Sequence, residues 1–128
     1  MIPKYRVWDK ELQTMLDVSL IDFKKGVLVG EHWEFGETNF MSFDEIVLMQ
    51  STNLLDKNGK EIFEGDIVDY KGRKAVIKWH GSYASFIYIF VDELQKRVAG
   101  WSPLYLAYFH FEVIGNKFET PELLEVKE

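Results

Sequence analysis

Apolar residues in this chain come in short runs broken by glycines and charged pairs, and the runs favour β-branched and aromatic side chains. Runs of that composition, bounded by turn residues, predict strands. Tyr5-Arg6-Val7-Trp8 is one, and Asp9-Lys10 turns it toward the next run at residues 15–23. Lys24-Lys25-Gly26 leads into Val27-Leu28-Val29, and Gly30 and Gly36 break the chain around Trp33-Glu34-Phe35. The succession predicts a meander. Ser42 and Glu45 have the spacing of a helix capping box, but the run Ile46-Val47-Leu48-Met49-Gln50 behind them is short and β-branched. The match is therefore discounted as a helix start.

Asp56-Lys57-Asn58-Gly59 carries the strongest local signal, because an Asn-Gly pair readily supplies the positive φ angles of a tight hairpin. After Ile62-Phe63, Gly65 lets the chain turn sharply and Asp66 offers a carboxylate to nearby backbone N–H groups. Ile67-Val68-Asp69-Tyr70, Ala75-Val76-Ile77-Lys78-Trp79 and residues 84–91 follow across the reversals Lys71-Gly72-Arg73 and His80-Gly81-Ser82. Three strands at such short spacing predict a small curled sheet or SH3-like barrel. Ser102-Pro103 and Thr120-Pro121 each set an N-capping residue before a proline at the first helical position. One or two helical turns are expected from Leu104, and a short terminal helix from Pro121.

The fold class expected is α+β, mainly β. An N-terminal β-rich subdomain (1–53) precedes an SH3-like β-barrel subdomain with short helices (54–118) and a short C-terminal helix or tail (119–128). Neither internal repeats nor a Gly/Ser/Pro-rich linker appears, so the two are expected to pack directly together, with the boundary near residues 50–58.

Composition agrees with a compact fold: 128 residues, 47% hydrophobic and 16% aromatic. With no cysteine, disulfides, thiolate metal sites and cysteine nucleophiles are excluded, and a cytoplasmic location is expected. The N-terminus has no apolar signal-peptide core, and no apolar run approaches the ~18 residues of a spanning helix, so no membrane role is expected. The net charge of −6 is opposite to that of a general phosphate-backbone binder. Residues 1–55 carry 5 basic and 9 acidic groups, residues 56–111 carry 8 and 7, and residues 112–128 carry 2 and 5. Only the middle of the chain is even slightly basic.

Four segments in order and spacing resemble the YopX-like proteins of bacteriophages and prophages. They are Leu48-Met49-Gln50-Ser51-Thr52, the stretch from Asp56 through Asn58-Gly59, Gly65 and Asp66 to Val68, Glu112-Val113-Ile114-Gly115-Asn116, and Pro121-Glu122-Leu123-Leu124. Arg6-Val7-Trp8-Asp9 resembles that family's N-terminal pattern, while residues 24–43 and 80–108 match least. The resemblance implies a mostly β, two-part fold, a protein carried in phage or prophage genomes whose biochemical role is unassigned, and formation of homo-oligomers. It brings no catalytic residues. Asp56, Asn58, Gly59, Gly65 and Asp66 read as a structural turn motif.

Recognisable chemistry is sparse. His32, His80 and His110 form no metal-ligand motif; Glu31-His32-Trp33-Glu34 and His110-Phe111-Glu112 could each offer two ligands, and the H-x-E of the latter lacks the cysteines of a zinc deaminase. There is no phosphate loop, dinucleotide fingerprint or nucleophile elbow, and no cofactor is expected. Asp44-Glu45 and Asp92-Glu93 would point to opposite sides of an extended chain.

Two surfaces remain. Lys71, Arg73, Lys74 and Lys78, interleaved with Tyr70, Trp79 and Tyr83, form the candidate nucleic-acid-binding set, with Trp79 as its stacking residue; the competing reading is a charged hairpin guarding a sheet edge. Aromatic residues gather after residue 78, which makes Trp101, Tyr105 and Tyr108 a candidate interface, alongside the plainer reading of an aromatic core. The function expected is a non-enzymatic phage or prophage accessory protein acting through self-association and contacts with an unknown phage or host protein. Nucleic-acid binding by the basic hairpin, and an enzyme with an unrecognised site, are the alternatives.

Overall fold

In the computed structural model, which describes residues 4–125, the chain divides into two compact units, one ending at Ser51 and the other beginning at Thr52. The first contains β1 (Tyr5–Asp9), β2 (Thr14–Asp22), β3 (Val27–His32), β4 (Gly36–Glu37), β5 (Met41–Ser42) and the start of β6 (Ile46–Leu55). They form an antiparallel sheet in the order β4-β3-β2-β1-β6, with β5 also paired to β3. Val7 lies between Leu16 on β2 and Leu48 on β6. Alternation along the strands puts Val7, Leu16 and Ile46 on one face, where they pack with Leu28 and Met41 as the core of this unit. The same face runs on to Asp9, paired with Thr14 at the end of the β1–β2 ladder.

The discounted capping box is present. Ser42 Oγ accepts from Asp44 N, and Glu45 Oε1 accepts from Ser42 N. It caps one 3-10 turn, Phe43–Glu45, before the chain extends into β6. The motif describes only its own turn, and the β-branched run behind it goes on as strand.

The second unit contains the end of β6, β7 (Glu61–Phe63), β8 (Asp66–Tyr70), β9 (Arg73–His80), β10 (Ser85–Phe90), β11 (Ser102–Pro103) and β12 (Glu112–Asn116). β7 lies beside β6, and the rest make a five-stranded antiparallel sheet in the order β11-β10-β9-β8-β12. Ala75, Val76 and Ile77 on β9 are consecutive and all buried, because both faces of this sheet are covered. On one face Ala75 and Ile77 join Ile62, Val68, Leu104 and Phe111; on the other Val76 joins Ile87 and Ile89 beneath Leu94, Ala99, Trp101 and Leu124.

This sheet is not a closed barrel. Its hydrogen-bonded path ends at β11 on one side and β12 on the other. The chain between them runs as 3-10 turns, Leu104–Leu106 and Tyr108–His110, and lays Leu104 and Phe111 against the sheet instead of pairing its edges.

Three local expectations are corrected. Ser102-Pro103 does not start a helix: it pairs with Tyr88 and Ile87 as β11, and the turn begins at Leu104 with Pro103 as an extended cap lacking a side-chain hydrogen bond. Thr120 precedes a 3-10 turn at Pro121–Leu124 but does not cap it; its Oγ1 accepts from Asn116 N and donates to Asn116 O. Of the predicted tail, residues 126–128 lie outside the described residues. In the Asn-Gly hairpin only Gly59 has positive φ, +83°. Gly59 N donates to Asp56 O and Asp56 N to Lys60 O, a longer turn than the two-residue form. That two-residue form occurs instead at Lys71-Gly72, where φ is 52° and 86°.

Candidate functional site

The basic residues singled out from the sequence lie on and around the β8–β9 hairpin, but strand alternation divides them. Arg73 and Trp79 share a face of β9 with Ala75 and Ile77, whereas Lys74 and Lys78 share the opposite face with Val76. Arg73 is already engaged: its Nε and Nη2 donate to the two carboxylate oxygens of Asp92 at 2.9 and 2.8 Å, and its guanidinium lies 3.7 Å from the centre of the Phe90 ring. The Asp92 hydrogen bonds raise the Arg73 pKa and lower that of Asp92. Lys71 Nζ lies 5.5 Å from the Tyr70 ring centre, and Trp79 packs edge-on against Phe86 at 5.0 Å. The five do not converge on one surface.

The aromatic candidates also separate. Trp101 lies 4.8 Å from His80 and 4.9 Å from Tyr83 between ring centres and covers the Val76 cluster. Tyr108 packs on the Leu104–Phe111 cluster. Tyr105 is 59% exposed, and with it stand Leu106 at 62% and Phe109 at 52%, on the turns that bury Leu104 completely. Leu106 and Phe109 were not singled out from sequence; their place in short turns, where only one side chain points inward, is the signal that marks them.

The turn motif is a connected set of hydrogen bonds. The Asp56 carboxylate is buried and accepts from the N–H groups of Asn58 and Lys60 at 2.8 Å and of Val113 at 2.9 Å. Burial alone would push its pKa up; the three backbone donors and the Lys60 charge outweigh burial and hold it below the usual Asp value. Lys57 N donates to Phe111 O beside it. Gly65, at φ +87°, donates to Ile77 O and accepts from Lys117 N, and Asp66 Oδ2 accepts from Phe63 N.

His110 packs against Phe109 and Tyr70, and His80 lies between Tyr83 and Trp101 with its Nδ1 buried and unbonded. Among the described residues no group of three or more His, Asp or Glu side chains is placed to hold a metal ion, and no helix is long and apolar enough to cross a membrane. The most exposed aromatic residues lie in neither predicted surface. Trp33 is 87% exposed and Phe35 80%, on the β3–β4 turn of the first unit, each stacked on His32. A pair of aromatics in a short acidic segment between Gly30 and Gly36 is the sequence signal that would have found them.

The protein-family model described as YopX protein matches residues 4–125. The crystal structure of protein EF1440 from Enterococcus faecalis is 28% identical in sequence, aligns over 98% of this chain and 99% of its own, and superposes with a TM-score of 0.61. No curated protein matches the chain.

Proposed function

The chain belongs to the YopX family, and from that premise we propose that it is a non-enzymatic accessory protein of phage or prophage origin, acting in the host bacterial cytoplasm through self-association and protein contact. The observation that carries this reading is the apolar group Tyr105, Leu106 and Phe109, each more than half exposed and mounted on turns anchored by buried Leu104 and Phe111. Rigidly held aromatic and aliphatic side chains gain contact area on association without a large ordering cost. In the same reading the second unit is an SH3-like sheet left open at β11 and β12.

Light scattering across a wide concentration range tests it, together with a pull-down from lysogenic or infected cells. The mass is expected to rise with concentration, and Tyr105→Ser with Phe109→Ser to return it to the monomer. A concentration-independent monomer that captures no host or phage protein overturns the proposal.

A further inference from the structure

The core face of the first unit does not end in solvent-facing polar residues. Beyond Leu16 it opens into a cleft of about 390 Å³ lined by Asp9, Leu12, Thr14, Leu16, His32 and Phe35, with Gly36, Glu37 and Thr38 closing one side. That is within the range of small-ligand sites. Two hairpin turns form its mouth. The β1–β2 turn contributes Leu12, largely exposed, and the β3–β4 turn contributes Phe35. Both turns are held by side-chain acceptors. Asp9 Oδ1 accepts from Glu11 N and Leu12 N at 3.0 and 3.2 Å, and His32 Nδ1 accepts from Glu34 N and Phe35 N at 3.1 and 3.2 Å. The Nδ1 of His32 therefore serves its own turn.

The charge in the cleft has one sign. Asp9 and Glu37 bring carboxylates to it, and no lysine or arginine lines it. Asp9 is only 5% exposed, and the two hydrogen bonds its carboxylate accepts both fall on Oδ1. A carboxylate oxygen with lone pairs to spare can accept from a donor or meet a cation. Glu11, Glu31 and Glu34 belong to the same turns and strand ends and outnumber Lys10, whose Nζ donates to Asp44 O. Leu12, Leu16 and the Phe35 ring supply the apolar part of the lining.

An aliphatic stem ending in a planar cation satisfies all of these at once. Its methylenes cover the leucines, its charge faces Asp9 and Glu37, and its plane stacks on an aromatic ring. We propose that this cleft binds an arginine side chain of a partner polypeptide. Trp33, exposed and stacked on the lining residue His32, supplies flat contact area for the peptide beside that arginine. The site lies in the first unit and shares no residue with the Tyr105 surface, so either proposal can fail without the other.

The test is an NMR titration of the full chain with a short peptide carrying one arginine among glycines and serines. Peptides with norleucine or glutamate in its place, and free agmatine, are the comparisons. The arginine peptide is expected to shift the amides of Asp9, Thr14, Gly36 and Glu37 saturably, and Asp9→Asn with Glu37→Gln to weaken it by about tenfold or more, as loss of charge-assisted contacts requires. Asp9→Asn keeps an acceptor for Glu11 and Leu12, so the turn survives the loss of charge. Glu37→Gln alone, at an exposed position, gives the same reading with the fold undisturbed. Equal binding of the norleucine or glutamate peptide, or no saturable shift with arginine, overturns the proposal. Agmatine binding more tightly than the peptide overturns the polypeptide as the source of the cation.

Discussion

Asp56 Oδ2 accepts a hydrogen bond from Val113 N at 2.9 Å across 57 positions of sequence. A turn residue of the β6–β7 hairpin thereby holds the start of β12. Asp56→Ala is expected to destabilise the second unit by about 2–3 kcal/mol, because a buried backbone donor loses a charged acceptor. Urea unfolding measures it, and Asp56→Asn, which keeps an acceptor, should lose less.

The lowered Asp56 pKa gives that bond a pH signature. A carboxylate held below its unfolded value contributes stability that is fully present above the ordinary value of 3.8, and loses it as pH falls through the lower folded value. Acid unfolding of Asp56→Asn should start from lower stability and show a shallower decline in that window. An unchanged acid limb would show that Asp56 takes no part in it.

Gly59 and Gly115 should respond to alanine for different reasons. Gly59 has open space around it but φ of +83°, so Gly59→Ala is expected to cost about 1 kcal/mol of left-handed strain. A Cβ on Gly115 would overlap Thr120 Oγ1 and come within 2.9 Å of Leu123 Cδ1. Gly115→Ala is expected to cost about 1–3 kcal/mol as overpacking and to loosen the Pro121–Leu124 turn, read by denaturation and by the amide signals of that turn.

His32→Ala removes the acceptor of two N–H groups in an exposed turn, where water replaces it. Global stability is expected to fall by less than about 1 kcal/mol. Amide exchange at Glu34 and Phe35 should nevertheless speed up, and the arginine-peptide shifts should weaken as Phe35 loses its place.

The division of the basic residues between two faces has its own consequence. Oligonucleotide binding at physiological salt is expected to be weak, and Lys74→Glu with Lys78→Glu to change it no more than Lys71→Glu does. Strong binding with a steep salt dependence, abolished by the Lys74 and Lys78 pair alone, would restore nucleic acid as the partner.

Much of the strand pattern was legible because it is a local property. The β8–β9 reversal follows from Lys71-Gly72, and the alternation along β9 from its own residues. The 3-10 turn at Ser42 was present in a motif that a neighbouring run argued down, since capping is decided within one turn and the strand behind it does not compete. Ser102-Pro103 reads equally well as a cap or an edge strand. Its pairing with Tyr88 and Ile87 decides, and nothing within ten residues states that pairing.

By itself the sequence determined a mainly β chain, its hairpin positions, the absence of thiol chemistry and the acidic character of its ends. These rest on composition, backbone propensity and turn residues, which act over a few positions. Tertiary structure alone decided which aromatics are core and which are surface. The aromatics after residue 78 are partly consumed by the two covered faces of one sheet, while Trp33 and Phe35, fewer and earlier, stand in solvent. It also decided that Asp9 ends a buried ladder beside an open cleft. Burial and convergence depend on which strands pair and what packs over them, and those contacts join residues far apart in the chain.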